Sequence, residues 1–515
     1  MRGTIDSAME KEYRTLSTNH KQSQFLDFAL FVMAVAYLVV YLWMAYQRLR
    51  YPFELEWIEG GMVDQVQRLI HGQSMYVAPG LNYVPFLYPP LYFYFSAAAS
   101  LLFGAGLFPL RLVSFISSLV SFTVIFLIVR AETRNSRVAL FSTGLFAAAF
   151  RVTGAWLDVA RVDSLFLALW LLFIYFVRGR KSLGYSVVAG ILAAMAYLTK
   201  QTALIACLPV LAFLFWRNWK YALSCLAVAG LIVGITTLVL NQASAGWYTY
   251  YVFGLLSQQT QWLPVEFVTF WNDDLLVHIP FAILLTVFFL TGGLKRDRLN
   301  LLQWLAILVG ALAGTFITRV KIGGYDNVLL PAYAVISILF GLGLNELFKL
   351  IRQLQVDFRG RLEGLIQIAC LIQLMILAYN PYAQIPTIAD LQAGQKLIGL
   401  LSDVKGEVFL PDHGYLPILA GKKTYAHESA IWDVLRGDQK TIGKTMLEGD
   451  LKDAINRQFF DEIILDSDLD LNWCCVEIDQ TYTRMGEVFQ DQTSFFTVTG
   501  DKKRPTFIYV ANRLK

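Results

Sequence analysis

Residues 51–61, YPFELEWIEGG, set three carboxylates, Glu54, Glu56 and Glu59, just after the first membrane-length apolar segment. If this stretch is helical, Glu56 and Glu59 share one face just beyond the lipid, where the pair could serve as a general base. The plainer alternative is a solvated interfacial helix. A second polar group, Asp158, Arg161 and Asp163, lies in AWLDVARVDSLFLAL, residues 155–169, where one apolar run ends and the next begins. A charge at a helix centre costs about 2.5–3.5 kcal/mol on insertion scales, so these residues must be surface-placed, paired, or both. Arg161 paired with a neighbouring aspartate would satisfy a tight turn. A carboxylate cluster facing the Glu56/Glu59 loop would instead activate an acceptor.

Cations fit an anion-binding role beside these acids. Lys200, flanked by Thr199 and Gln201 in AYLTKQTAL, and Arg319 with Lys321 in TRVKIGGYDN, fall at span ends opposite to the other basic clusters. A phosphate head group needs such charge-assisted donors, although single lysines at helix ends also snorkel. His71, His278, His413 and His427 have no metal-ligand spacing, and those near the C-terminal strand ends read as structural. No P-loop or dinucleotide fingerprint is present, which argues against nucleotide-powered chemistry. The five cysteines include no CxxC pair, so neither a metal site nor a disulfide framework is expected.

The elements that must position these residues are membrane helices. The chain has 515 residues, 56% of them hydrophobic and 16% charged, with a mean hydropathy of +0.50. That composition makes it a polytopic membrane protein. Its net charge of +4 comes from short basic clusters between apolar runs, which are topology signals and not a nucleic-acid stripe. Residues 1–25 are polar, too long and polar for a signal peptide, and are expected in the cytoplasm ahead of a span at 26–46. A long first external loop, 47–110, contains a short helix closed at Gly72 and the apolar run YPPLYFYFSAAASLLFG, which could cross or lie in the interface. If it does not cross, spans at 111–130, 137–155, 164–178, 183–199, 202–216 and 221–240 put every basic connection inside: Arg130/Arg134/Arg137, Arg178/Arg180/Lys181 and Arg217/Lys220. An aromatic external loop follows to about residue 274. Continuing the rule places Lys295/Arg296/Arg298 inside and a last span at 361–379.

The fold expectation is therefore mostly α: a transmembrane domain over 26–379 with about eleven spans, interfacial helices in the first loop, and a small α/β domain over 380–515. In that domain GEVFLPD, DEIILDSD and the pair SFFTVTG/TFIYVAN read as strands, with helices at 386–403 and 442–458.

The order of ELEWIEGGMVDQVQRLIHGQSMY, YPPLYFYF, ARVDSLFLAL, AYLTKQTAL and GGYDNVLLPAYA resembles the GT-C superfamily of membrane glycosyltransferases over residues 25–345. It is similar to bacterial dolichyl-phosphate-mannose protein mannosyltransferase and aminoarabinose transferase type proteins. The resemblance implies an inverting glycosyltransferase of the bacterial plasma membrane, with the N-terminus in the cytoplasm and the C-terminal domain outside. Its donor would be a sugar on a polyprenyl phosphate, and its acceptor the hydroxyl of a glycan, lipid or protein. Counting back from Gly72 places Glu59 on the glutamate of an Asp-Glu pair whose aspartate is here Ile58, so the base is Glu59 or Glu56. By the same resemblance Asp163 with Arg161 matches a second acidic motif, and Asp158 belongs to that cluster. Lys200 and Gln201 approach the donor phosphate, with Lys321 a further contact. Tyr88, Tyr325 and Asn327 are placed as substrate contacts, Asn327 standing where many relatives have a basic or aromatic residue. No cofactor is required; some relatives use a divalent metal, but these acids are too few to demand one. A transporter or lipid flippase is the alternative from another class. Internal repeats and midplane charges would mark it, and neither is seen. A catalytically dead scaffold is a third, kept open by Ile58.

Overall fold

The computed structural model describes residues 2–179, 182–259, 261–292, 297–354, 359–436, 440–467 and 477–514, with side chains from Gln24 onward. Cys474 and Cys475 and the topology markers Arg180, Lys181, Lys295 and Arg296 lie outside the described residues.

Helices α1 (Arg2–Leu49), α4 (Leu107–Thr133), α5 (Ser136–Ala148), α6 (Asp163–Arg178), α7 (Leu183–Thr199), α8 (Ala203–Arg217) and α9 (Trp219–Ala243) follow the apolar runs of the sequence. Their starts are set locally: the side chains of Asn135, Ser182 and Asn218 each accept the first free amides of the helix that follows. The segment after α9 holds the single-turn helices α10 (Trp247–Thr249) and α11 (Leu256–Gln258) around a π turn. Then α12 (Glu266–Trp271) lies before α13 (Pro280–Thr291), α14 (Arg298–Arg319), α15 (Leu330–Gln353) and α16 (Arg359–Ile376).

The helices sort by what surrounds them. The segment Asp326–Gln353 is apolar and wholly buried, whereas Trp219–Ala243 is more apolar still and only 6% buried. The first is the centre of the bundle and the second faces lipid. Gly310 of α14 makes the close approach to α8 possible, since a Cβ there would lie 2.2 Å from the Ala206 carbonyl oxygen. Five described helices are long and apolar enough to cross a membrane, or seven if each bent pair counts as one. The chain is an integral membrane protein.

One span expectation is corrected. The helix expected over 137–155 stops at Ala148, and 149–162 becomes a run of turns with Gly154 and Ala155 at φ +79° and +60°. The first loop contains α2 (Glu59–Ile70) and α3 (Leu91–Phe103). At about 1.5 Å per residue, 13 residues fall short of the roughly 30 Å hydrocarbon core.

Beyond α16 the chain forms α17 (Ile388–Asp403), β1 (Val408–Phe409), α18 (Tyr415–Leu419), α19 (Glu428–Leu435), α20 (Ile442–Asn456), β2 (Glu462–Leu465), β3 (Tyr482–Glu487) and β4 (Phe507–Ala511). The sheet order is β1-β2-β4-β3, parallel between β1 and β2 and antiparallel elsewhere. SFFTVTG is not the partner of β4; residues 482–487 take that place. Phe495 and Gly500 sit at positive φ, and the amides of Phe495 and Thr499 bond to Asp390 and to the Leu55 carbonyl. The segment docks on the first loop and leaves the sheet.

Candidate active site

Four acid–cation pairs converge at one end of the bundle. Glu59, the first residue of α2, has no exposed surface. Its Oε1 accepts from Arg111 Nε (2.9 Å) and the Ala160 amide (2.6 Å), and its Oε2 from Arg111 Nη2 (2.5 Å) and the Leu55 amide (2.7 Å). Burial alone would raise its pKa, but Arg111 and the two amides outweigh that and hold it below the ordinary carboxylate value. Both oxygens are occupied.

Glu56 precedes α2, so the two glutamates do not share a helix face. Glu56 is fully buried, with Oε1 2.6 Å from Arg161 Nη1 and Oε2 accepting from the Ile58 amide at 3.1 Å. Burial raises its pKa to about 8; Arg161 opposes the rise, and the Glu59 charge adds to it. The partner of Arg161 is thus Glu56, not a neighbouring aspartate, because the turns at 149–162 aim its side chain across the chain toward the first loop. Its other terminal nitrogen donates to the Tyr88 hydroxyl at 2.9 Å.

Asp163 opens α6 and Lys200 caps the C-terminal end of α7, so each charge complements its helix dipole. Lys200 Nζ lies 2.5 Å from Asp163 Oδ1, which also accepts from Asn327 Nδ2 at 3.0 Å. Asp163 Oδ2 is buried without a partner. Asp158 pairs with Arg48 at 2.8 Å; none of the four acids lines the cavity described next, but Arg161 and Lys200, the partners of Glu56 and Asp163, do, whereas Arg48 does not. Arg48 also donates to the Ala155 and Gln384 carbonyls and to Thr499. Asp158 is therefore placed as a structural partner of α1 and not beside substrate.

Tyr88, Arg161, Lys200, Gln201, Lys321, Tyr325 and Asn327 do come together, lining a single cavity of about 520 Å³ with Trp57 and Ile58. Gln201 is held by the Leu87 carbonyl at 2.6 Å, and the Tyr325 hydroxyl donates to Asp501 at 2.8 Å. Among the described residues Lys321 makes no ion pair; its ammonium sits 5.3 Å from the Trp262 ring centroid. Each predicted acid already has its own cation. Among the described residues no group of three or more His, Cys, Asp or Glu side chains could hold a metal ion. The donor set does not fit a metal site.

Arg48 and Arg111 were missed in the sequence. Their signal was the one that marked Lys200, a basic residue at the wrong end of an apolar run. The contribution of the C-terminal domain to the site was missed too: Glu428, Ser429, Trp432, Asp433 and Arg436 of the α19 segment line the cavity, with Asp501 and Lys503. His413 is buried between Glu54 and Asp466, with Nε2 3.0 Å from Asp466. His427 is buried, bonded to the Trp57 carbonyl at 3.1 Å, and burial lowers its pKa to about 3.

Residues 88–247 match the model of a family described as dolichyl-phosphate-mannose-protein mannosyltransferase. Among solved structures, ArnT from Cupriavidus metallidurans bound to undecaprenyl phosphate aligns at 13% identity and TM-score 0.56, over 93% of this chain and 98% of that one. Its apo state aligns at 12% identity and TM-score 0.59, over 92% and 97%. The chain has the GT-C fold. The GT-C protein AglB from Archaeoglobus fulgidus, in complex with an inhibitory peptide and a dolichol-phosphate, is a more distant match at 14% identity and TM-score 0.52, over 84% of this chain and 69% of that one. No curated protein matches the chain at a significant level. These matches support the membrane glycosyltransferase expected from the motifs and lend nothing to the transporter alternative. At such low identity the GT-C likeness concerns the path of the chain, so the four ion pairs are features of this sequence.

Proposed function

We propose that the chain transfers a sugar from a polyprenyl-phosphate donor to an acceptor hydroxyl at the extracytoplasmic face, inverting the anomeric carbon. The observation that carries this reading is the shared cavity: cations from separate helix ends meet there, next to a buried carboxylate of raised proton affinity. Lys321, with no carboxylate of its own, and Lys200 take the donor phosphate as it becomes the leaving group. Glu56 takes the acceptor proton while the hydroxyl oxygen bonds to the anomeric carbon and the bond from that carbon to the phosphate oxygen breaks. Arg161, between Glu56 and Tyr88, fixes the carboxylate. Of the two glutamates left open by the sequence, the geometry favours Glu56. Glu59 has no free lone-pair direction and a lowered proton affinity, which suits a strut under the loop. Asp163 orients Lys200.

The test is release of undecaprenyl phosphate from an undecaprenyl phosphosugar by purified protein with a membrane acceptor fraction. Glu56→Gln should slow release by about 100-fold or more and leave affinity for bare undecaprenyl phosphate intact. In the wild type kcat/KM should rise with pH toward about 8 as Glu56 loses its proton, and the rise should vanish in the variant. Unimpaired transfer by Glu56→Gln would remove Glu56 from the mechanism.

A further inference from the structure

The cavity has two unlike walls. On the bundle side stand three cations, Arg161, Lys200 and Lys321; on the C-terminal side stand three carboxylates, Glu428, Asp433 and Asp501, interleaved with Arg436 and Lys503. The second wall is mostly one stripe of α19. Its lining residues Glu428, Ser429, Trp432, Asp433 and Arg436 are spaced i, i+1, i+4, i+5 and i+8, a single helical face. The opposite face, Ala430, Ile431, Val434 and Leu435, is buried in the core. An amphipathic helix would ordinarily give its polar stripe to bulk water; here the stripe is turned into the cavity.

The stripe is also rigid. At its start the His427 ring accepts the Ser429 amide at 3.2 Å while its other nitrogen meets the Trp57 carbonyl. At its end Arg436 pairs with Asp433 at 2.7 Å, donates to the Ile322 carbonyl at 3.3 Å and lies 3.9 Å over the Trp432 ring. Gln259 donates to the same Asp433 oxygen at 3.2 Å. Arg436 and Lys321 share a small adjoining recess, so the stripe ends beside a lysine that makes no ion pair among the described residues.

We propose that this face of α19 is the binding site for the donor's sugar ring, which rests on the donor-phosphate reading given above. A phosphate at Lys321 holds the anomeric carbon one oxygen atom away, so the ring it carries enters the cavity that α19 walls. Carboxylates accept hydroxyl protons through charge-assisted hydrogen bonds, and an indole packs against the C–H face of a ring. The ligand class is a neutral hexose or pentose with free hydroxyls toward Glu428 and Asp433.

The experiment uses the full chain in lipid nanodiscs and measures affinity for bare undecaprenyl phosphate and for the same carrier bearing mannose, glucose, galactose, N-acetylglucosamine or 4-amino-arabinose. The wild type should rank these, with at least one neutral sugar bound more tightly than the bare carrier. Glu428→Gln, Asp433→Asn and Trp432→Ala should each flatten the ranking, a lost contact to a charged group weakening binding by roughly 10–100-fold. Affinity for the bare carrier should stay at the wild-type value, which also reports that the variants fold. Three results overturn the site: a ranking that survives in all three variants, a wild type that gains nothing from any sugar, or a preference for the aminopentose alone. Failure of the donor reading looks different: bare undecaprenyl phosphate would not bind the wild type, or Lys321→Ala would leave its affinity unchanged.

Discussion

Glu59 and Glu56 sit three residues apart and have opposite chemistry because of what reaches them. Arg111 approaches Glu59 with two nitrogens and the chain adds two amides; Glu56 receives one arginine nitrogen and one amide. A fully satisfied buried pair is hard to break from one side, since the surviving charge is stranded. Glu59→Ala should therefore destabilise the fold by about 3–5 kcal/mol, read as a large loss of thermal stability in detergent. Arg111→Met should do comparable damage. The double variant should lose less than the sum of the two, because neither charge is then left alone. Additive losses would mean that the pair does not act as a unit.

At the scale of elements, His413 ties the C-terminal domain to the first loop through Glu54 and Asp466. Burial alone would lower its pKa, but the two carboxylates and their hydrogen bonds outweigh that, and it stands well above the usual value. A raised histidine stabilises fully below its unfolded pKa of about 6.5 and loses that contribution as pH climbs through the folded value. Hydrogen-exchange protection at residues 412–416, with the intrinsic base-catalysed rate divided out, should therefore fall at alkaline pH. In His413→Gln the protection should be low already at neutral pH, with no further alkaline loss. Gly60 belongs to this junction: a Cβ there would come within 1.9 Å of Glu54 Oε1, so Gly60→Ala should loosen the same contact.

The sequence made much of this legible, for reasons tied to particular elements. The apolar runs 183–199 and 221–240 became α7 and α9 because long continuous hydropathy has one reading in a membrane. The outlying cations Lys200 and Lys321 were visible because charge at a span end is costly. The run 137–155 misled because its second half is apolar but folds as buried turns, closed by bonds such as the Ala155 amide to the Phe150 carbonyl and held by Arg48, which reaches the Ala155 carbonyl from α1. No local pattern encodes that. The polar stripe of α19 likewise reads as a surface helix until the cavity places it inside.

The whole molecule is a lipid-facing bundle with one polar end, and its orientation can be measured. In a background without native cysteines, a cysteine at the exposed position 134 should react with an impermeant reagent only after the membrane is opened. One at the exposed position 423 in the C-terminal domain should react from outside in intact cells. The reverse pattern would invert the topology on which the extracytoplasmic reaction depends.

Arg48 bonds to Asp158, 110 residues later, and to Thr499, 451 residues later. As the chain is synthesised, the bond to Thr499 can therefore form only after its other partner Asp158 has been made. At about 5–20 residues per second, the guanidinium at the end of the first helix waits on the order of 20–90 s for its last partner to leave the ribosome. The polar end of the bundle is then the last part of the protein to close. Until it does, the cavity lacks the wall supplied by the C-terminal domain. Assembly of the proposed site is thereby coupled to completed synthesis, and a chain arrested before Thr499 would sit in the membrane with its helices in place and the cavity still open.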